Sequence, residues 1–507
     1  MDTTPRRTSR KGNLHIRLIA AFCVLLLVAG VIPLYAVSLY NHPYYDDYGF
    51  STATRQVWLA TGDPLQVLAQ AFRSAQGVRN TWQGTYTGTF LSNIQPGLFS
   101  ESLYWLTTAL LLTSFLLCFG FLLQTVFRRL LGAGRPETLA ISSLALLLMT
   151  QFLPEADEAF FWFNGGIGNT FIYSLLALAA ALWLRLGPAK GARAVWLTAT
   201  LAVLFTLLGG GSYGGGLFGL LLCATGVALA FAGHQRHRFA YAALTLWFLV
   251  CFLYSISAPG NVQRAALVGA HPSAFKAVLL SFYYGVALLG NYATLPVLAV
   301  GLSLAPLLWY VARRSTYRFA HPAWVLVGSI CLFCAQLTPP LYGGVFLGGG
   351  RITDTYYYSF VVLGLLYETY LLGALARRRE RLGQPALRLA TSVRYGVLLA
   401  SICLFVLGCL GYKHSDDTLY GPQNMAGGSA ALSIITGEAA RYDRDMTGRE
   451  LLLNDTAKRT VTLQPLAAVP EVFMADLLTP GATVDVRPML CAYYDKDAIL
   501  LEGGDAP

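Results

Sequence analysis

Long apolar runs separated by short basic clusters limit what this chain can fold into more than any other feature of the sequence. A helix crossing roughly 30 Å of hydrocarbon needs about 17–22 apolar residues. Runs of that kind fall near 18–39, 103–126, 138–153, 170–186, 194–210, 217–233, 239–257, 293–312, 322–339, 356–376 and 394–412. They predict an all-α polytopic membrane protein of about eleven transmembrane helices.

Charge between the runs tests that count, because Lys and Arg collect on the cytosolic side of membrane segments. Counted this way, five groups fall on the side of the amino terminus. They are Arg128, Arg129 and Arg135; Arg185, Lys190 and Arg193; Arg236 and Arg238; Arg313, Arg314 and Arg318; and Arg377 to Arg379 with Arg381 and Arg388. The expected topology is N-in and C-out. The stretch 273–290 is apolar enough to cross, but counting it would move the Arg313 and Arg377 groups to the wrong side, so it reads as an interfacial or re-entrant helix. The basic start at 1–17 (Arg6, Arg7, Arg10, Lys11, Arg17) precedes a run too long for a signal-peptide core and without a small-residue cleavage site, so 18–39 reads as a retained first span.

Composition agrees: with 55% hydrophobic and 12% charged residues among 507, a soluble core cannot hide the apolar surface. The net charge of +10 resides in the short inter-span clusters, which argues for membrane topology and against nucleic acid as a partner. Eight of the nine Cys lie in apolar segments, which excludes a disulfide framework, and Cys331-x-x-Cys334 reads as helix packing.

The expected organisation is a cytosolic basic terminus (1–17), a transmembrane domain (18–412) and a small α+β extracytoplasmic domain (413–507). A long outer loop, 40–102, carries Trp58, Trp82, Phe90 and two helical apolar patterns. In the tail, a helix is expected near 428–443, and alternation predicts strands at Thr460–Leu463 and Val484–Arg487. The outer loops are long and the inner ones short and basic, so chemistry is expected outside.

Asp46 and Asp47, in His42-Pro-Tyr-Tyr-Asp-Asp-Tyr-Gly-Phe50, place adjacent carboxylates among aromatics beside the membrane. That is costly for ionised groups. They read as a general base or metal ligands for a lipid-linked substrate, or as caps of a helix beginning near Ser51. Glu155, Asp157 and Glu158 precede Phe160-Phe-Trp162-Phe-Asn164-Gly-Gly, a pattern suited to sugar binding or to a second acidic group. A solvated interfacial aromatic belt is the competing reading. Arg264, in Ala-Pro-Gly-Asn-Val-Gln-Arg, and Arg351, after three glycines, are cations on the outer side, suited to a lipid phosphate or to ordinary headgroups. Glu368 lies inside the tenth span, where an acid is a functional candidate. No Walker loop, G-x-S-x-G, H-E-x-x-H or strand-flanked G-x-G-x-x-G occurs, and Asn454-Asp-Thr456 is a formal glycosylation sequon.

The acidic pair after the first span, the acidic loop ending in F-W-F-N-G-G, the A-P-G-N-x-x-R segment, the outer arginines and the carboxy-terminal tail together resemble the GT-C superfamily of membrane glycosyltransferases. They look most like bacterial multi-pass proteins related in appearance to O-antigen glucosyltransferases. The resemblance implies inverting transfer of a sugar from a polyprenyl-phosphate donor to a cell-surface glycan or lipid acceptor, at the plasma (inner) membrane. By carry-over, Asp46 or Asp47 is the base, Arg351 and Arg264 hold the donor phosphate, and a divalent cation (Mg or Mn) can bind at the pair. The turn Gly209–Gly216 departs from the pattern, since an acid is expected after it. The rival readings are a flippase or exporter of lipid-linked saccharide, motivated by Glu368, and a non-catalytic assembly subunit that binds through its tail.

Overall fold

A computed structural model describes residues 10–269, 271–344, 347–385, 400–403, 425–479, 482 and 484–502. In the first part of the chain the helices are α1 (Arg10–Val37), α2 (Asp46–Thr61), α3 (Pro64–Thr81), α4 (Tyr86–Ser92), α5 (Leu106–Gln124) and α6 (Arg135–Gln151). Next come α7 (Phe163–Ile167), α8 (Thr170–Leu186), α9 (Gly191–Gly209), α10 (Tyr213–Ala232), α11 (Arg238–Ile256) and α12 (Pro259–Val268). After these follow α13 (Ala274–Tyr292), α14 (Leu295–Arg314), α15 (Pro322–Ala335), α16 (Thr338–Tyr342) and α17 (Gly350–Arg381). The tail adds α18 (Ala426–Ile435), α19 (Glu438–Asn454), β1 (Thr460–Leu463), α20 (Arg487–Tyr494) and β2 (Ala498–Leu501).

Among the described residues, nine helical stretches are long and apolar enough to cross a membrane: Leu14–Tyr40, Glu101–Leu130, Phe163–Leu186, Gly191–Gly209, Tyr213–Ala232, Arg238–Ile256, Ala274–Tyr292, Leu295–Arg314 and Gly350–Arg381. The protein is an all-α polytopic membrane protein. Two expected spans form shorter helices: α6, of 17 residues, and α15, of 14. Helix α6 packs along α1 and is buried on nearly every side, from Thr138 to Gln151, so its neighbours cover it instead of lipid. The segment 394–412, Arg388 and the boundary near 412 lie outside the described residues, except for helical 400–403.

Contacts sort the loops to two ends of the bundle. Arg185 Nε donates to Thr125 Oγ1 (2.9 Å), His237 Nε2 meets the Ala189 carbonyl (2.8 Å), and Arg377 reaches the carbonyls of Ser315 and Tyr317. Ala20, Cys23 and Ala140 pack together with Leu307 against them, which brings the start of α1 to the same basic end. At the other end, Thr87 N–H reaches the Gly210 carbonyl (2.9 Å) and Ser255 Oγ the Gly84 carbonyl (2.8 Å). A Cβ at Gly260 would meet the backbone of Trp82 and Gln83 at 2.4–2.8 Å, so only glycine lets α12 lie so close to the end of α3.

Helix α13 is long enough to cross, yet both its ends are tied to that second end. His271, just before it, meets Tyr342 edge-on (ring centroids 5.5 Å apart), and Tyr292 donates to the Thr353 carbonyl (3.0 Å) near the start of α17.

The tail differs from expectation in two places. The helix expected over 428–443 is two, broken where Gly437 turns at φ +72°. Strand β1 stands at Thr460–Leu463, but it pairs in parallel with β2, and Val484–Arg487 leads into α20. The hydrophobic cluster of the tail, with Leu463, Leu490 and Tyr493, includes Tyr48 of the first loop. Burying such side chains contributes roughly 1.5–3 kcal/mol each, and here that energy joins the tail to α2.

Candidate functional site

Asp47 is where three segments meet. Its side chain is fully buried, and its Oδ1 accepts from the Asn164 backbone N–H (3.0 Å) and Nδ2 (2.7 Å). Its Oδ2 accepts from the Tyr44 backbone N–H (3.0 Å) and from the Tyr104 hydroxyl, whose oxygen in turn accepts the Phe163 N–H (3.0 Å). Asn41 Nδ2 adds a bond to the Phe161 carbonyl (2.6 Å). The carboxylate thus fixes the end of α1, the start of α5 and the α7 loop to one another. Burial outweighs these donors and pushes the Asp47 pKa up to about 6.

Asp46 has the opposite surroundings. It is half-buried and its carboxylate makes no hydrogen bond or ion pair among the described residues. Burial raises its pKa, and the nearby charge of Arg351 draws it back down. Tyr45, immediately before it, holds φ at +40°, an uncommon conformation for a side chain of that size, and its ring lies 6.3 Å from that of Trp162.

The second acidic loop and α17 supply the rest. Arg351 donates from its backbone N–H (2.8 Å) and Nη1 (3.4 Å) to Glu158 Oε2, and its guanidinium lies 4.7 Å from the centre of the Trp162 ring. Trp162 also meets Tyr44 edge-on at 5.6 Å. A Cβ at Gly350 would collide with the Glu155 side chain, so the glycine run before Arg351 permits the close approach that aligns it. The Glu155 N–H bonds Asp354 Oδ1 (2.9 Å), leaving Asp354 Oδ2 buried without a hydrogen-bond partner among the described residues. Asp157 is partly exposed at its surface, but desolvation, then the charges of Glu155 and Glu158, push its pKa well above the usual carboxylate value. Burial, then Asp157, Glu158 and Asp476, raises the pKa of Tyr44 as well. Arg351 is therefore the cation set among Glu155, Asp157, Glu158 and Asp354.

Asp46, Asp47, Glu155, Asp157, Glu158, Trp162, Asn164 and Arg351 are brought into one region, and Arg264 is set to one side. Its Nη1 bonds Gln83 Oε1 (2.9 Å) and it stacks over Trp82 (5.0 Å), bracing α12 on α3, although the charge of Arg351 is felt at Arg264. The glycine turn before α10 serves packing: the Gly210 carbonyl receives the Thr87 and Gly88 N–H groups. Glu368 is not paired with Arg377, which bonds Glu380 (2.8 Å) instead.

Sequence reasoning missed Tyr104 and Asp354. Asp354 left a faint signal, an acid three residues after Arg351 near the start of a helix; Tyr104 left none. The expected cation at the acidic pair meets an obstacle. A carboxylate offers about four lone-pair positions, and all those of Asp47 are taken by donors, so Asp47 does not fit as a metal ligand. No family model, curated protein or solved structure matches this chain.

Proposed function

We propose that the protein is a membrane glycosyltransferase of inverting type, using a polyprenyl-phosphate-linked sugar and acting on a cell-surface glycan or lipid. The observation that carries the reading is the placing of Asp46, an uncommitted carboxylate, within reach of the charge of Arg351, a cation held in place by Glu158 and Trp162. Asp46 takes the proton of the acceptor hydroxyl as its oxygen bonds the anomeric carbon. The bond from that carbon to the phosphate oxygen breaks on the opposite face, and Arg351 stabilises the departing lipid phosphate. Trp162 and the Tyr44 and Tyr45 rings offer apolar faces to a sugar, and Asp47 acts through position alone.

The proposal includes eleven spans in the plasma (inner) membrane, the amino terminus in the cytosol, and the acidic end of the bundle with the tail outside. The basic loops gathered at the opposite end support that orientation.

Surface glycan composition, compared between wild type, a null strain and Asp46→Asn at matched expression, tests the assignment. Null and variant are expected to lose the same sugar. A variant that keeps the sugar which the null loses overturns the enzymatic reading and favours export, where Glu368→Gln is the decisive substitution.

A further inference from the structure

Beside the proposed transfer site, and separate from Asp46 and Arg351, three remote segments bring together one imidazole and two carboxylates. His42 follows α1, Glu101 precedes α5, and Glu450 stands on α19. A ligand atom from each lies within 4.8 Å of the other two. His42 and Glu101 are each only 7% exposed, and Glu450 is half-buried.

The imidazole is set up as a ligand. Its Nε2 is 3.0 Å from Asp443 Oδ1, and an ionised carboxylate only accepts, so Nε2 carries the proton. That tautomer leaves the Nδ1 lone pair, and Nδ1 is buried without any hydrogen-bond partner among the described residues. A metal-bound histidine usually has its second ring nitrogen held by a carboxylate in this way. Asp443 and Glu450 are seven residues apart on α19 and so share a face, with Tyr442 edge-on to the imidazole at 5.8 Å.

Among the described residues neither carboxylate is held in an ion pair, although the charge of Arg55 is felt at Glu101. One oxygen of Glu101 accepts the Tyr494 hydroxyl, and Glu101 and Glu450 face each other. Arg55, the nearby cation, is committed to the Tyr493 carbonyl (3.0 Å) and Asn454 Oδ1 (2.8 Å). Two acids set together in a buried place call for a proton or a cation between them.

We propose that His42, Glu101 and Glu450 bind one divalent transition-metal ion, with Zn²⁺ the best match to a set of one nitrogen and two carboxylate ligands and a water in the fourth position. Closing on Zn²⁺ at about 2.0–2.2 Å per ligand takes small side-chain rotations. The ion clamps α19 onto the loop after α1, sealing the cleft that Glu101 and Glu450 line together with Tyr44, Tyr45 and Arg449.

The test uses the full chain purified in detergent and dialysed against micromolar Zn²⁺, then against metal-free buffer. Elemental analysis is expected to find one zinc per chain in wild type and in Asp46→Asn, and a loss of at least tenfold in His42→Ala and Glu450→Gln. Zn²⁺ is expected to raise the thermal unfolding midpoint of wild type and to leave that of Glu450→Gln unchanged. Wild type free of zinc, or Glu450→Gln retaining it, overturns the proposal. Glu450→Gln must elute as wild type does on size exclusion; if it does not, Glu450→Asp replaces it, with weakened zinc retention expected and wild-type retention overturning the site. Because Asp46→Asn keeps its zinc while losing transfer, failure of the metal site and failure of the glycosyltransferase reading are separable.

Discussion

A carboxylate whose lone pairs are occupied by four donors is valuable as a brace and poor as a base. Asp47 is such a group, and Asp47→Asn turns an amide N–H₂ toward donors that have lost their acceptor. Each buried group so orphaned costs about 1–3 kcal/mol, so the variant is expected to unfold at lower temperature in detergent, and a wild-type midpoint would refute the bracing role. The pH dependence follows from burial, which raises the Asp47 pKa from its ordinary 3.8 to about 6. The folded state holds this proton more tightly than the unfolded one, so the stabilisation is complete below about 3.8 and is lost as pH rises through about 6. The unfolding midpoint is expected to fall across that window, and Asp47→Asn to remove the step. At this scale the sequence showed which residue types carry chemistry but not how they divide the work. Asp46 and Asp47 look alike in the chain; what separates them is Tyr104 and Asn164, the latter 117 positions away.

Helices were easier to foresee than their partners. The apolar runs at 18–39 and 170–186 correspond to α1 and α8 because a membrane span is specified by its own composition. The strand expected at Val484–Arg487 failed because Val-Asp-Val-Arg alternation over four residues also suits the approach to a helix, and α20 starts at Arg487 with Pro488 in its first turn. Strand β2 depends on β1, 38 residues earlier by register, which no local pattern encodes. Close approach of helix backbones rests on small residues, and α18 approaches α1 through Gly427 and Gly30, with the Gly427 N–H on Gln151 Oε1 (2.8 Å). A Cβ at Gly427 would collide with the Gly30 carbonyl, so Gly427→Val is expected to detach α18 and to speed proteolysis of 425–502. Unchanged protease resistance would show that the contact is dispensable.

For the molecule as a whole, the two chemically distinct ends make orientation testable. Single cysteines placed at Gly62 and at Gln235 in a cysteine-free background are expected to react with an impermeant maleimide from opposite sides of intact cells, Gly62 from outside; the reverse labelling would invert the proposed topology. The Asp47 brace also has a consequence in time. Its partners Tyr44, Tyr104 and Asn164 are all present once the first 164 residues have been made, whereas Arg351 emerges about 190 residues after Glu158. During synthesis the acidic loop is therefore assembled before the cation that balances it, and the nascent chain must shelter Glu155, Asp157 and Glu158 with protons or borrowed lipid counter-ions until α17 arrives.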